Sequence, residues 1–425
     1  MIARTRGFRP GGAAGAPSRS TRRTLLKQVV SLSFVLSGAA SDKLPPVRAI
    51  TRGPRFHWFG YYDKLQFDPT GRYVLGMEVD FEDRPPRPDD VIRIGMIDLG
   101  QKDRWIELGE SRAWNWQQGC MLQWLPRSGN EVIWNDREGD QYVARILNVA
   151  SRKRRTVPAP IGCVSPDGVS ALALDFRRLG ETGTGYGYPG IPDPNRGVPA
   201  PQDSGVWRLD LRSGEQSLIL SLADAAGIPN RQDDWNGASH WFNFPLFSPD
   251  GRRFALLHHW RKEGQAFAAR LVTATTDGRK PCVVNPYGKT YHMIWRDARH
   301  LLEWGWHPSH GQKFYLHEDC SDSVSVVAPD VMTENGHCSY LRDTRWILCD
   351  TYPDAQRNQN PYLYDTKSAR RYPLGHFYTP PKYRGEWRCD THPRSSADGR
   401  KIVIDSAHEG NGRQLYLIDA SEIVR

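Results

Sequence analysis

Tight turns and short apolar runs alternate along the chain with a long, regular period. Seven turn tetrads stand at Asp68-Pro69-Thr70-Gly71, Pro126-Arg127-Ser128-Gly129, Ser165-Pro166-Asp167-Gly168, Ser248-Pro249-Asp250-Gly251, Arg296-Asp297-Ala298-Arg299, Arg342-Asp343-Thr344-Arg345 and Ala397-Asp398-Gly399-Arg400. Each is followed by an apolar run, at 73–79, 131–134, 170–174, 254–257, 301–304, 346–348 and 402–404. A second run ending near an acid recurs, as in Ile94-Gly95-Met96-Ile97-Asp98 and Gln414-Leu415-Tyr416-Leu417-Ile418-Asp419. Turn residues at a fixed offset from a β-type run predict a hairpin. Seven copies of one hairpin predict a repeat architecture.

With the first forty or so residues set aside, the chain averages about 55 residues per copy, close to a four-stranded propeller blade with its loops. The pattern therefore predicts an all-β protein, a seven-bladed β-propeller, as a single domain over residues 41–425. The last copy has three strands before the chain ends at Arg425, so its outer strand is expected from residues 46–51, closing the ring. A β-sandwich is the alternative, but equivalent units with turns at a fixed offset favour radial repetition. Two segments exceed the repeat, 178–201 in the third copy and 224–241 between the third and fourth. Long loops on a rigid scaffold are where function is usually carried.

Residues 1–40 read differently. Arg4, Arg6, Arg9, Arg19, Arg22, Arg23 and Lys27 stand there without a single acid, ahead of an apolar run from Val29 to Ala40. Ser20-Thr21-Arg22-Arg23-Thr24-Leu25-Leu26-Lys27 resembles a bacterial twin-arginine signal, and Ser37-Gly38-Ala39 offers small residues for cleavage. A run of about a dozen residues falls short of the roughly twenty that span a bilayer, so no stable membrane insertion is expected after cleavage. The expected location is periplasmic or secreted. The formal charge of +9 changes meaning as well: the leader holds 7 of the 57 basic residues, leaving 50 against 48 acids. A nucleic-acid partner loses its main support. With 39% hydrophobic and 25% charged residues, the composition excludes disorder and a polytopic membrane protein. The seven cysteines include no CxxC pair, and an odd number cannot pair completely. Cys338 and Cys349 flank one turn symmetrically; a disulfide, two buried thiols or no contact are open, with buried thiols preferred.

The candidate chemistry lies just ahead of the turns. The first strand of a propeller blade starts at the mouth of the central channel, so these positions converge. They hold His57, Asn115 and Gln118, Asn236 and His240, His292, His337, and Asp390 and His392. A lone histidine there is ordinarily structural. Several neutral imidazoles on one axis instead call for a metal, an acidic ligand or strong hydrogen bonds. His292, His337 and His392 fall in consecutive copies and are proposed to hold a divalent metal, with Asp390 or Cys389 as a further ligand. His258 and His259 follow an apolar strand and read as packing or surface residues.

Export, seven Ser-Pro-Asp-Gly-type blades and histidines at blade starts together resemble the propeller-fold polysaccharide lyases, the oligogalacturonate and ulvan lyases. The resemblance implies β-elimination on a uronic-acid-containing poly- or oligosaccharide, an acidic partner. It implies a divalent cation (Mn, Ca or Zn) on His292, His337 and His392, and His240 as base. Arg388-Cys389-Asp390-Thr391-His392 stands where the family's Gln-containing metal cluster is expected. Two histidines typical of ulvan lyases would fall near Asn115 and Asn135. β-Elimination needs a clamp on the carboxylate, a base and an acid for the leaving oxygen. Arg208 or Arg196 is the expected auxiliary clamp and Tyr188, beside Tyr186, the expected acid, with His57, Asn115, Gln118 and Asn236 binding substrate. The competing class is a non-catalytic propeller resembling TolB, for which a ring of histidines serves no purpose. A glycoside hydrolase is a third possibility, needing two carboxylates across the site, for which Glu78, Asp80, Asp136 and Asp175 are candidates.

Overall fold

A computed structural model describes residues 43–229 and 235–425. Seven four-stranded antiparallel sheets follow one another along the chain. The first strands of the seven blades are Phe56–Trp58, Gln123–Trp124, Cys163–Val164, Ser239–Phe247, Thr290–Trp295, Ser339–Tyr340 and Arg394–Ser395. The second strands are almost wholly buried, among them Tyr73–Val79, Arg253–Arg261 and Trp346–Cys349. Strands buried on both faces lose the polar alternation of a one-sided sheet. This is why the runs in the sequence read as continuous. The seventh sheet takes its fourth strand from Val47–Ala49, which pairs antiparallel with Gln414–Asp419, Val47 opposite Ile418. The two ends of the described chain thus share one blade. The twin-arginine segment lies outside the described residues, as do residues 230–234 of the expected long loop. Among the described residues no helix is long and apolar enough to cross a membrane.

The turn tetrads show why their residues recur. Ser248 Oγ donates to Asp250 Oδ1 (2.7 Å) and accepts from the Arg253 amide (3.0 Å), while the Gly251 amide closes on the Ser248 carbonyl (2.8 Å). Gly251 has φ of +70°, open to glycine without steric cost. Ser396, Asp398 and Gly399 repeat the arrangement in blade seven. Serine, aspartate and glycine each satisfy a backbone requirement of the hairpin.

Blade interfaces are filled by aromatic residues. Trp58, Trp114 and Trp116 pack together between blades one and two, with centroids 5.0–5.5 Å apart, and the indole N–H groups of Trp114 and Trp116 donate to the Asp90 and Arg84 carbonyls. The excess segment of blade three starts with the helix Phe176–Thr182, capped by Asp175. It is pinned by buried Arg178, whose guanidinium pairs with Asp193 and donates to the carbonyls of Asn195, Val198, Pro199 and His240. Cys338 and Cys349 are buried free thiols. A disulfide forms elsewhere, from Cys282 in the outer strand of blade four to Cys320 in blade five.

Candidate active site

Three histidines meet where blades five, six and seven open toward the axis. The rings of His292 and His337 lie 4.3 Å apart, centroid to centroid, and those of His337 and His392 lie 4.1 Å apart. Side-chain donor atoms of His337, Asp390 and His392 all fall within 4.8 Å of one another, and all three residues are buried. Nε2 of His337 and of His392 has no hydrogen-bond partner. Burial, then the neighbouring His337, lowers His292 to about 3, and the same two causes hold His392 well below the usual imidazole range. Neutral rings with free, converging lone pairs are the donor set a divalent cation requires. The residues present therefore fit a metal.

Asp350 fixes these rings. It follows Trp346–Cys349 directly and is fully buried. Oδ1 accepts from the His337 amide (2.7 Å) and from its Nδ1 (3.0 Å), while Oδ2 accepts from the Thr391 hydroxyl (2.6 Å) and the His392 amide (3.1 Å). A carboxylate on Nδ1–H leaves Nε2 as the free acceptor, the usual tuning of a metal-binding histidine. Burial raises the Asp350 carboxyl, but His337 and the surrounding hydrogen bonds outweigh it and the net shift is downward. Asp390 is bound on one oxygen by Arg388 (2.6 Å), which also donates to the Tyr186 hydroxyl (3.0 Å). His292 Nδ1 is paired with Asn335 Oδ1 at 3.0 Å.

A pocket of about 310 Å³ adjoins this cluster, walled by blades four to six, the blade-three loop and Tyr61 of blade one. His292, Tyr61, Tyr186 and Tyr352 line one side. Trp241, His259, Arg261 and Phe267 line the other. The His259 ring stacks on Trp241 at 5.2 Å, with planes 6° apart. Neither of its ring nitrogens has a partner, and burial lowers it to about 3.

Several residues expected at the site stand elsewhere. His240 Nδ1 is bonded to His258 Nε2 (2.9 Å) beneath the blade-three loop, and His240 does not line this pocket. It sits eight residues ahead of the blade-four turn, whereas His292 precedes its turn by four and His337 and His392 precede theirs by five. The blade-four position near the axis belongs to Asn243 and Phe244. Tyr188 is buried in the core, stacked on Phe176 at 4.2 Å, with its hydroxyl accepting from Asn135 Nδ2. Tyr186, two residues earlier, lines the pocket instead. Arg208 is exposed on the third strand of blade three, Arg196 is an exposed ion-pair partner of Glu181, and Asn236 is exposed. His57 is buried between Glu78 (3.0 Å) and Gln414 (2.9 Å), a link from blade one to blade seven. Asn115 and Gln118 act one step behind the pocket: Asn115 Nδ2 donates to the Tyr186 carbonyl, and Gln118 Nε2 donates to Asn243 Oδ1.

The carboxylates considered for glycoside hydrolysis are engaged locally. Glu78 pairs with Arg55, Arg93 and His57, and Asp80 with Arg55 and Arg93. Asp136 pairs with Arg145, and Asp175 caps a helix beside Arg177. Acids ending second strands are counter-charges within their own blades. Sequence reasoning passed over two further acids at second-strand ends: Asp405, which pairs with buried Arg394 of its own blade (2.6 Å), and Asp350, which reaches across to blade seven. His259 carried no such signal, since only the folded sheet shows which strand end opens into the pocket.

No family model matches the chain, and no curated protein matches it in sequence. Solved structures do. An oligogalacturonate lyase in complex with manganese aligns over 88% of this chain and 93% of its own, with a TM-score of 0.64 at 16% identity. The oligogalacturonate lyase of Vibrio parahaemolyticus aligns over 91% and 96%, with a TM-score of 0.64 at 13% identity. The β-propeller domain of the Trilobed protease from Pyrococcus furiosus aligns over 86% and 94%, with a TM-score of 0.50 at 13% identity. At such identities the shared property is the fold, a β-propeller.

Proposed function

We propose that this protein is an exported polysaccharide lyase that cleaves a uronic-acid-containing chain by metal-assisted β-elimination. The observation that carries the reading is the convergence of unpartnered imidazole nitrogens from two blades with Asp390, beside a pocket holding the unpartnered His259. His337 and His392 through Nε2, with Asp390 and His292 alongside, would hold the cation. When bound, a divalent cation there neutralises the substrate carboxylate and stabilises the enolate-like charge that develops on it.

This chain's own residues supply the proton transfers. His259, neutral because burial disfavours its charged form, takes the proton from the carbon next to the carboxylate. An arriving carboxylate raises its basicity by stabilising the imidazolium. The electron pair forms the new carbon–carbon double bond as the glycosidic carbon–oxygen bond breaks. Tyr186 delivers a proton to the leaving oxygen: its oxygen already accepts from Arg388, so its own O–H is directed elsewhere. Asn115 holds the Tyr186 backbone. Export belongs to the same reading, and a disulfide between Cys282 and Cys320 suits an oxidising compartment.

The test is to incubate the purified protein with a panel of polyuronates, with and without chelator, and follow absorbance of the unsaturated uronate. Product that depends on the metal and falls by about two orders of magnitude or more in His259→Ala is expected. No product on any uronate, or full activity in His259→Ala, defeats the assignment.

A further inference from the structure

The blade-four wall of the pocket carries more than the proposed base. Phe267, in the loop joining Arg253–Arg261 to Ala268–Thr275, leaves 52% of its surface exposed at the pocket rim. It stands edge-on to the Trp241–His259 stack, 6.3 and 5.5 Å from those rings. Arg261, at the end of the second strand, lies with its guanidinium carbon 5.8 Å from the Trp241 ring centre. Among the described residues no carboxylate pairs with Arg261, whereas Arg388, Arg394 and Arg413 each have one. A single exposed phenylalanine is ordinary on a protein surface. Here it shares a pocket with a half-buried arginine that lacks a counter-ion, and the two offer an apolar face and a bidentate anion donor side by side.

We propose that Arg261 and Phe267 form a subsite for the sugar unit next to the one being cleaved, Arg261 binding the carboxylate of a second uronate and Phe267 packing on its ring. The inference rests on the lyase reading of the same pocket. It narrows the substrate to chains with consecutive, unesterified uronates. A cation held by His337 and His392 would neutralise the first carboxylate while Arg261 binds the second, so a neutral neighbour leaves the guanidinium without its partner. Phe267 offers the exposed aromatic ring at the rim, which fits the apolar face of a pyranose.

The experiment measures KM and kcat of the metal-loaded protein on two oligouronates of three or more units, one with all carboxylates free and one methyl-esterified at the neighbouring units. Equilibrium binding of the free-acid oligomer is measured alongside. Arg261→Ala is expected to raise KM about ten- to a hundredfold on the free acid, with kcat little changed, because a charged hydrogen-bonding contact is removed from binding. The esterified oligomer should show little response. Arg261→Lys, which keeps the charge, should recover part of the loss, and Phe267→Ala should weaken both oligomers. Unchanged KM for Arg261→Ala and Phe267→Ala in a protein that releases unsaturated product overturns the subsite and leaves the lyase standing. Binding that Arg261→Ala weakens, without product from any variant, supports the subsite and overturns the lyase. A protein that neither binds nor cleaves uronates overturns both.

Discussion

Asp350→Asn is the most informative single change, because one carboxylate organises ligands on two blades. Its two oxygens serve different backbone amides, Oδ1 that of His337 and Oδ2 that of His392. An asparagine keeps the shape and only one acceptor oxygen. Whichever way its amide is turned, one of those two N–H groups faces an NH2 and is left unsatisfied. A buried unsatisfied donor costs about 1–3 kcal/mol, and the remaining bonds lose the assistance of the charge. The total expected loss is about 2–4 kcal/mol, one unsatisfied buried donor plus the weakening of the bonds that remain. With the NH2 toward His337, the substitution removes the acceptor that holds its proton on Nδ1, and with the oxygen there the acceptor is uncharged and holds that proton less firmly, so Nε2 is less committed as the donor atom. Loss of such an outer partner weakens metal affinity by about 10- to 100-fold. Urea unfolding followed by tryptophan fluorescence, together with manganese titration calorimetry, reads both effects. A variant whose stability lies within about 0.5 kcal/mol of the native protein and whose manganese affinity is unchanged would refute the positioning role of Asp350.

Other outcomes follow from the same structure. Cys282→Ser opens a bridge between residues 38 apart and should cost about 3–4 kcal/mol of stability by loop-closure entropy, with reductant producing a matching loss in the native protein; identical urea midpoints for both proteins would contradict this. His259 binds its proton near 3 in the folded chain but near 6.5 when unfolded, so its contribution to stability is complete above pH 6.5 and declines as pH falls toward 3. Between pH 6.5 and 5 that amounts to about 1–2 kcal/mol, and His259→Gln should lose correspondingly less over the same interval; equal losses would exclude a neutral buried His259. Replacing Arg22 and Arg23 by lysine should trap precursor in the cytoplasm, and normal export of the variant would rule out the twin-arginine route.

The sequence by itself determined the repeat. Ser-Pro-Asp-Gly tetrads encode their own hairpins through local serine and aspartate hydrogen bonds, and the apolar run after each turn encodes a buried second strand. Local codes of this kind need no partner from elsewhere in the chain, so seven blades and the gathering of His292, His337 and His392 were legible from spacing to the turns. What the tertiary structure decided is which way the strand ends face. His240 and His259 lie on neighbouring strands of one blade, yet a position eight residues before the turn, under a loop pinned by Arg178, places His240 against His258. His259 opens into the pocket between blades that are adjacent only once the ring has formed. Tyr186 and Tyr188 divide in the same way, one toward Arg388 and the other into the core. Asp350 owes its role to Thr391 and His392, some forty residues away on the next blade. A hairpin is specified by a few consecutive residues, whereas a site at the channel mouth is specified by contacts among residues far apart in sequence, and ring closure alone brings those together.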